Sequence, residues 1–118
     1  MKEIKAFIRP GEFNDIFGAL RDDGYCCVTV TDTEGTGRYS DPDELLYPSL
    51  KIPYMHSKML KLELIVQDKD VNNIIEIIKK HGRTGMRGDG IIYVIDVERA
   101  IHIRTGEEGE EVLNMSKE

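Results

Sequence analysis

Tryptophan is absent from this 118-residue chain, and its only two cysteines are side by side at Cys26 and Cys27. Adjacent cysteines give neither a disulfide framework nor zinc-ligand spacing. On an extended segment they face opposite sides, one toward a core and one away, and no electropositive setting argues for a redox role. No apolar run approaches the ~20 residues of a membrane span, and the basic start Met1-Lys2-Glu3 is not followed by a signal-peptide core. Positive charge is also in short supply: 16 Lys and Arg stand against 22 Asp and Glu, a formal net charge of −6. A phosphate backbone demands a basic face, so nucleic acid is not an expected partner. Four of the acids, Glu107, Glu108, Glu110 and Glu111, crowd a C-terminal tail of about 106–118 that reads as solvated. Carboxylate pairs, nucleophile–base pairs and three-ligand metal motifs are missing too, so an enzyme is not expected. What is left is a single cytoplasmic domain over 1–118, large enough to bury a core without disulfides or metals.

What is present is periodic. Lys2 to Arg9 alternates, with Ile4, Ala6 and Ile8 against Lys5, Phe7 and Arg9, a half-buried strand. Pro10 opens a helix in which Phe13, Ile16, Phe17 and Leu20 form one apolar stripe, and Gly24 ends it. Cys26 to Glu34 is rich in Val and Thr and predicts a second strand. From Gly35 to about Ser57 no period is sustained and Pro42, Pro48 and Pro53 recur, so a long loop is expected, of the kind that is usually functional or mobile. Lys58 to Val66 alternates again, with Leu60, Leu62, Leu64 and Val66 on one face. Asp70 then starts a helix with Val71, Ile74, Ile75 and Ile78 as its stripe and Gly82 as its stop. A fourth strand is expected over Ile91 to Val97 and a short fifth over Ala100 to Arg104.

The order β-α-β-loop-β-α-β, with right-handed crossovers, predicts a ferredoxin-like α+β sandwich: four antiparallel strands covered on one face by two helices. The other sheet face would carry Phe7, Met59, Ile65 and Tyr93. Those side chains are too apolar to leave in water, which predicts self-association.

The segment Arg83-Thr84-Gly85-Met86-Arg87-Gly88-Asp89-Gly90 carries the chemistry. Glycines around an Asp make a loop rich in backbone N–H groups, a shape suited to anions. Arg83, Arg87 and Arg104 supply guanidinium groups of the kind that grip phosphate oxygens. A glycine loop alone is weak evidence, since turns need glycine as well.

Further stretches raise its meaning. Ile8-Arg9-Pro10, Val28-Thr29-Val30-Thr31, Gly35-Thr36-Gly37-Arg38, Lys61-Leu62-Glu63-Leu64, Gly88-Asp89-Gly90 and Ile103-Arg104-Thr105-Gly106-Glu107 occur in one order along the chain. Together with Met1-Lys2-Glu3-Ile4, they make the sequence resemble the PII family of nitrogen signal-transduction proteins over nearly its whole length, residues 39–57 excepted. The resemblance implies a homotrimer with a nucleotide site in each inter-subunit cleft, where ATP and ADP compete. It also implies that the loop of about 36–57, the T-loop, docks on a transporter or enzyme. Carried over position by position, it puts Thr29 on adenine and Glu63, Leu64 and Ile65 along the base and ribose. Gly35 falls among the nucleotide-binding positions and Gly37 and Arg38 near the phosphates, which Gly88, Asp89 and Gly90 cradle, and Arg104 reaches in from the neighbouring subunit.

Three positions depart from the family pattern. Tyr39 stands where the family usually has Gln, Ile91 where it has Lys, and His102 where it has Arg. Ile91 and His102 thus occupy phosphate positions with less charge, and charge-assisted contacts are worth roughly 1.5–3 kcal/mol each. Triphosphate should therefore bind more weakly, which favours ADP or AMP beside ATP and disfavours Mg and 2-oxoglutarate sensing. In the loop, Tyr47 and Tyr54 read with Tyr39 as anchors for a partner surface. Met55, His56 and Met59 form a soft-ligand cluster suited to copper(I), although ordinary packing explains them better. The leading expectation is a PII-type regulator in nitrogen metabolism. The alternative is a diverged PII-like regulator of heavy-metal or bicarbonate transport, and a copper-binding trimer comes third.

Overall fold

The structure is a computed structural model and describes residues 1–25, 27–35 and 57–113. It contains β1 (Lys2–Ile8), α1 (Phe13–Asp22), β2 (Thr29–Gly35), β3 (Ser57–Val66), α2 (Val71–Gly82) and β4 (Ile92–Asp96). The strands form one sheet in the order β2-β3-β1-β4, with every neighbouring pair antiparallel. This is the ferredoxin-like βαββαβ arrangement that the sequence periods predict.

One face of the sheet is closed by the helices. Ile4, Ala6 and Ile8 of β1, with Leu62, Leu64 and Val66 of β3, are buried against Ile16 and Leu20 of α1 and Ile74 and Ile78 of α2. Each of the Ile, Leu and Val side chains contributes roughly 1.5–3 kcal/mol when fully removed from water. In α2 it is Ile77, rather than Ile75, that packs against this cluster beside Val71. Both helices are entered through a single 3-10 turn, Pro10–Glu12 and Asp68–Asp70.

Two glycines end helices differently. Gly24 has φ +91° and reverses the chain after α1, as a left-handed terminator should. Gly82 is instead the last residue of α2, followed by an extended Arg83. A Cβ there would come within 3.0 Å of Ile16 Cδ1, so this glycine serves helix–helix packing.

The strand ends differ from expectation in ways that matter for the site. β2 begins at Thr29, three residues later than Cys26. Its ladder with β3 runs from Thr29 opposite Glu63 to Gly35 opposite Ser57. Beyond Glu63, β3 has no β2 partner, because the chain leaving α1 is still turning: the Tyr25 N–H bonds to Leu20 O at 2.9 Å. β4 covers Ile92–Asp96 rather than Ile91–Val97. The expected fifth strand at Ala100–Arg104 is not one. It is a return loop with a single bridge between Ile101 and Glu108. Gly106 (φ +75°) and Gly109 (φ +104°) reverse the chain before a strand can extend.

The open face is more mixed than its apolar residues suggest. Phe7 and Tyr93 stack on it with centroids 6.2 Å apart. Between them and β2 runs a charged ladder, with Lys5 Nζ 3.6 Å from Glu3 and Lys61 Nζ 3.0 Å from Glu63. The edge strand β4 exposes Tyr93, Val94 and Ile95, and Ile91, Ile101 and Ile103 flanking it are exposed as well. No helix among the described residues is long and apolar enough to cross a membrane.

Candidate functional site

The glycine loop joins α2 to β4 and is held by a carboxylate. Asp89 accepts from the backbone N–H groups of Thr84 and Gly85, both at 2.9 Å, and from the Thr84 hydroxyl at 2.6 Å. Arg9 Nε donates to the same side chain at 2.9 Å, and the Arg9 guanidinium also reaches the carbonyl of Arg87. Partial burial works against the Asp89 charge, but hydrogen bonds from the Thr84 hydroxyl, Arg9 and the two backbone N–H groups outweigh it and lower its pKa to about 2. Asp89 thus organises the loop from within, and two of the N–H groups expected to be open to an anion bind this carboxylate instead.

Gly90 sits where the loop meets the sheet. A Cβ there would fall 1.7 Å from the carbonyl oxygen of Phe7, so no side chain fits. The close approach lets the Phe7 N–H bond to Ile91 O at 2.9 Å and locks the loop to the end of β1. Gly88, with φ +99°, needs a glycine for its backbone conformation. Arg83, Arg87, Ile91 and Arg104 all present exposed side chains.

A cleft of about 330 Å³ lies at the other end of the sheet, lined by Glu3, Cys27, Thr29, Glu63, Leu64, Ile65, His102, Val112 and Leu113. That volume is at the lower end of the ~300–1,000 Å³ typical of ligand pockets. It opens where β2 starts late and leaves the Leu64–Ile65 edge of β3 uncovered. A hydrogen bond from Lys61 to Glu63 holds that carboxylate below the usual range. The cleft is therefore acidic and apolar with one imidazole, a setting that suits a purine carrying an amino donor better than it suits phosphate.

Five predicted positions, Thr29, Glu63, Leu64, Ile65 and His102, therefore meet in one cleft. Asp89 and Gly90 border a second depression of about 290 Å³ with Phe7, Ile8 and Arg83, and the two depressions share no residue. Gly35, opposite Ser57 in the ladder, falls at the same end of the sheet as the glycine loop. Five residue steps of β1 separate Glu3 from Ile8, about 17 Å at the usual strand rise. Gly37, Arg38, Tyr39, Tyr47, Tyr54, Met55 and His56 lie outside the described residues. Among the described residues, no group of three or more His, Cys, Asp and Glu side chains could hold a metal.

Sequence reasoning missed Arg9, Thr84, Glu3, Cys27, Val112 and Leu113 as residues of these two regions. The Arg9-Pro10 step marked a strand end and a family motif, but gave Arg9 no partner. The acidic stretch around Val112 and Leu113 hid an ordered turn, Glu110–Leu113, which folds back onto the domain.

A family profile described as Nitrogen regulatory protein P-II matches residues 1–107. The chain is 41% identical over 113 residues to Nitrogen regulatory protein P-II of Pasteurella multocida, covering 96% of this chain and 100% of that one. The protein of the same name from Haemophilus influenzae is also 41% identical, with the same coverage. Nitrogen regulatory protein P-II 1 of Escherichia coli K12 is 39% identical over 108 residues, 92% of this chain and 96% of its own. A profile spanning nearly the whole chain, joined to relatives of this similarity and length, leaves one conclusion: the chain belongs to the nitrogen regulatory protein P-II family, whose members are signal transducers and not enzymes.

Proposed function

We propose that this chain senses adenine nucleotides as a homotrimer and reports on nitrogen status by docking its 36–57 loop on a target protein, a membrane transporter or metabolic enzyme of the cytoplasm. The whole chain, 1–118, acts as one domain. Members of the family bind ATP and ADP as effectors, and the residues present here fit such a ligand in two separate halves. One protomer supplies the base half, with Thr29, Glu63, Leu64, Ile65, His102 and the nearby Arg104. The next supplies the phosphate half, with Gly88, Asp89, Gly90 and Ile91 and, at the same end of its sheet, Gly35, Gly37 and Arg38. Asp89 acts there through the shape it gives the loop.

The observation that carries this reading is the separation of the halves. The cleft at Thr29, Glu63 and Ile65 and the depression beside Asp89 and Gly90 lie at opposite ends of one sheet and share no lining residue. A neighbouring copy brings them together. The exposed apolar residues Tyr93, Val94 and Ile95 on the edge strand β4 support the same assembly, because an uncovered apolar edge invites pairing.

Neutral Ile91 at a phosphate position favours a site that discriminates weakly between ADP and ATP, with AMP as a further ligand. Tyr39 in place of the family's usual Gln speaks against 2-oxoglutarate sensing through Mg. The same departures favour the second reading, a PII-like regulator of heavy-metal or bicarbonate transport.

Sedimentation equilibrium together with calorimetry tests the proposal. The expected particle is three times the 13.4 kDa chain mass, taking up ADP at each seam. A monomer, or silence toward ATP, ADP and AMP alike, overturns it. Nucleotide binding with no response to 2-oxoglutarate favours the second reading of the target.

A further inference from the structure

The C-terminal acidic stretch is not a free tail. His102 N–H bonds to Glu107 O at 2.8 Å, Gly106 N–H to His102 O at 2.8 Å, and Gly109 N–H to Ala100 O at 3.1 Å. Arg99 clamps Glu108 through both guanidinium and carboxylate pairs, the longer at 3.2 Å. Val112 N–H then closes the last turn on Gly109 O at 3.2 Å. The result fixes His102 and the turn Glu110–Leu113 as parts of one return loop, with Val112 and Leu113 half-buried at the cleft.

Those two side chains supply what the sheet does not. Leu64 is only 3% exposed, its side chain spent in the core, so it offers the cleft little beyond backbone. Among the described residues, Ile65 is then the sole large apolar side chain that the sheet itself contributes, while Glu3, Thr29, Glu63 and His102 are polar. A flat purine needs an apolar surface on each face, and the second one present is Val112 with Leu113. Glu110 and Glu111 on the same turn are exposed and acidic, which repels phosphates from this side.

We propose that the turn Glu110–Leu113 is a wall of the nucleotide site, with Val112 and Leu113 contacting the base and setting its orientation, phosphates directed away. This rests on the adenine-nucleotide reading above. Val112 and Leu113 are positioning residues for the ligand and require no movement of the turn.

The test uses the full-length protein and calorimetry with ADP and with adenosine. Leu113→Asp should weaken both ligands by at least about tenfold and Val112→Thr by a few-fold, while Leu113→Met restores wild-type affinity. An unchanged melting temperature and particle mass in the Val112→Thr protein excludes a folding defect as the cause, so the inference stands or falls on that variant if Leu113→Asp misfolds. Wild-type binding that neither variant weakens overturns the wall and leaves the nucleotide reading intact. A wild-type protein that binds neither ligand overturns the nucleotide reading and the wall with it. Loss of ADP binding with adenosine binding unchanged also overturns the wall, since it would place the turn near the phosphates.

Discussion

Arg9, the residue after β1, donates to Asp89 across 80 positions of sequence, with Nε 2.9 Å from Oδ1. The pair ties the first strand to the glycine loop while the carboxylate also holds Thr84 and Gly85. Replacing Asp89 with Ala should therefore cost about 2 kcal/mol of stability, and Arg9→Ala somewhat less. Denaturant melts of the two single variants and the double variant would show a coupling of at least ~0.5 kcal/mol; strict additivity would contradict a direct contact.

Asp89 also sets a pH dependence. Its folded pKa of about 2 lies below the ordinary 3.8. A depressed carboxylate pKa stabilises the fold above the unfolded value, and that contribution is lost as pH falls from about 4 toward 2. The side chain is a quarter exposed, so the contribution is at most about 2 kcal/mol. Acid titration of wild type against Asp89→Asn should show this component only in wild type.

Gly90→Ala tests the close approach of the loop to the end of β1. With a Cβ forced to 1.7 Å from Phe7 O, the loop must leave the sheet, and we expect a loss of at least ~3 kcal/mol or no folded protein. Gly85→Ala meets open space and only the strain of φ +82°, so its cost should be about 1 kcal/mol. Equal melting temperatures for the two would refute the distinction.

Charge at the proposed phosphate position, Ile91, is the functional counterpart. Ile91→Lys should tighten ATP binding by roughly tenfold, more than it tightens adenosine, because a new charge-assisted contact acts on phosphate alone. Calorimetry with both ligands reads the difference, and equal gains for the two would move Ile91 away from the phosphates.

In the core, Leu62→Ala should cost about 2–5 kcal/mol, since Leu62 is fully buried between sheet and helices. A loss below ~1 kcal/mol in chemical denaturation would mean that the packing has been misread.

The parts of the fold that repeat were legible in sequence. Ile4, Ala6 and Ile8, or Leu62, Leu64 and Val66, announce their face by period two, and Ile74 and Ile78 announce theirs by helical spacing. Strand limits were less legible: the Val and Thr of residues 28–31 look the same whether or not a ladder partner is beside them, and the late start of β2 depends on how the chain leaves α1. The cleft residues Thr29, Glu63 and Ile65 came from motifs matched by resemblance. Val112 and Leu113 carried no such local mark, and the motif that holds Arg9 gave it no partner. Their neighbours are 80 residues away for Arg9 and, for the C-terminal pair, in β2 and β3, so only the folded chain brings them together. The acidity of Glu107 to Glu111 concealed a turn whose geometry depends on two left-handed glycines.

The internal clamp on the glycine loop has a kinetic corollary. A turn already fastened by its own carboxylate owes no ordering entropy to an arriving anion, so capture there should proceed without a folding step and with little change in heat capacity from that segment. Whatever rearrangement announces occupancy to a target must then originate in parts of the chain that Asp89 does not tether.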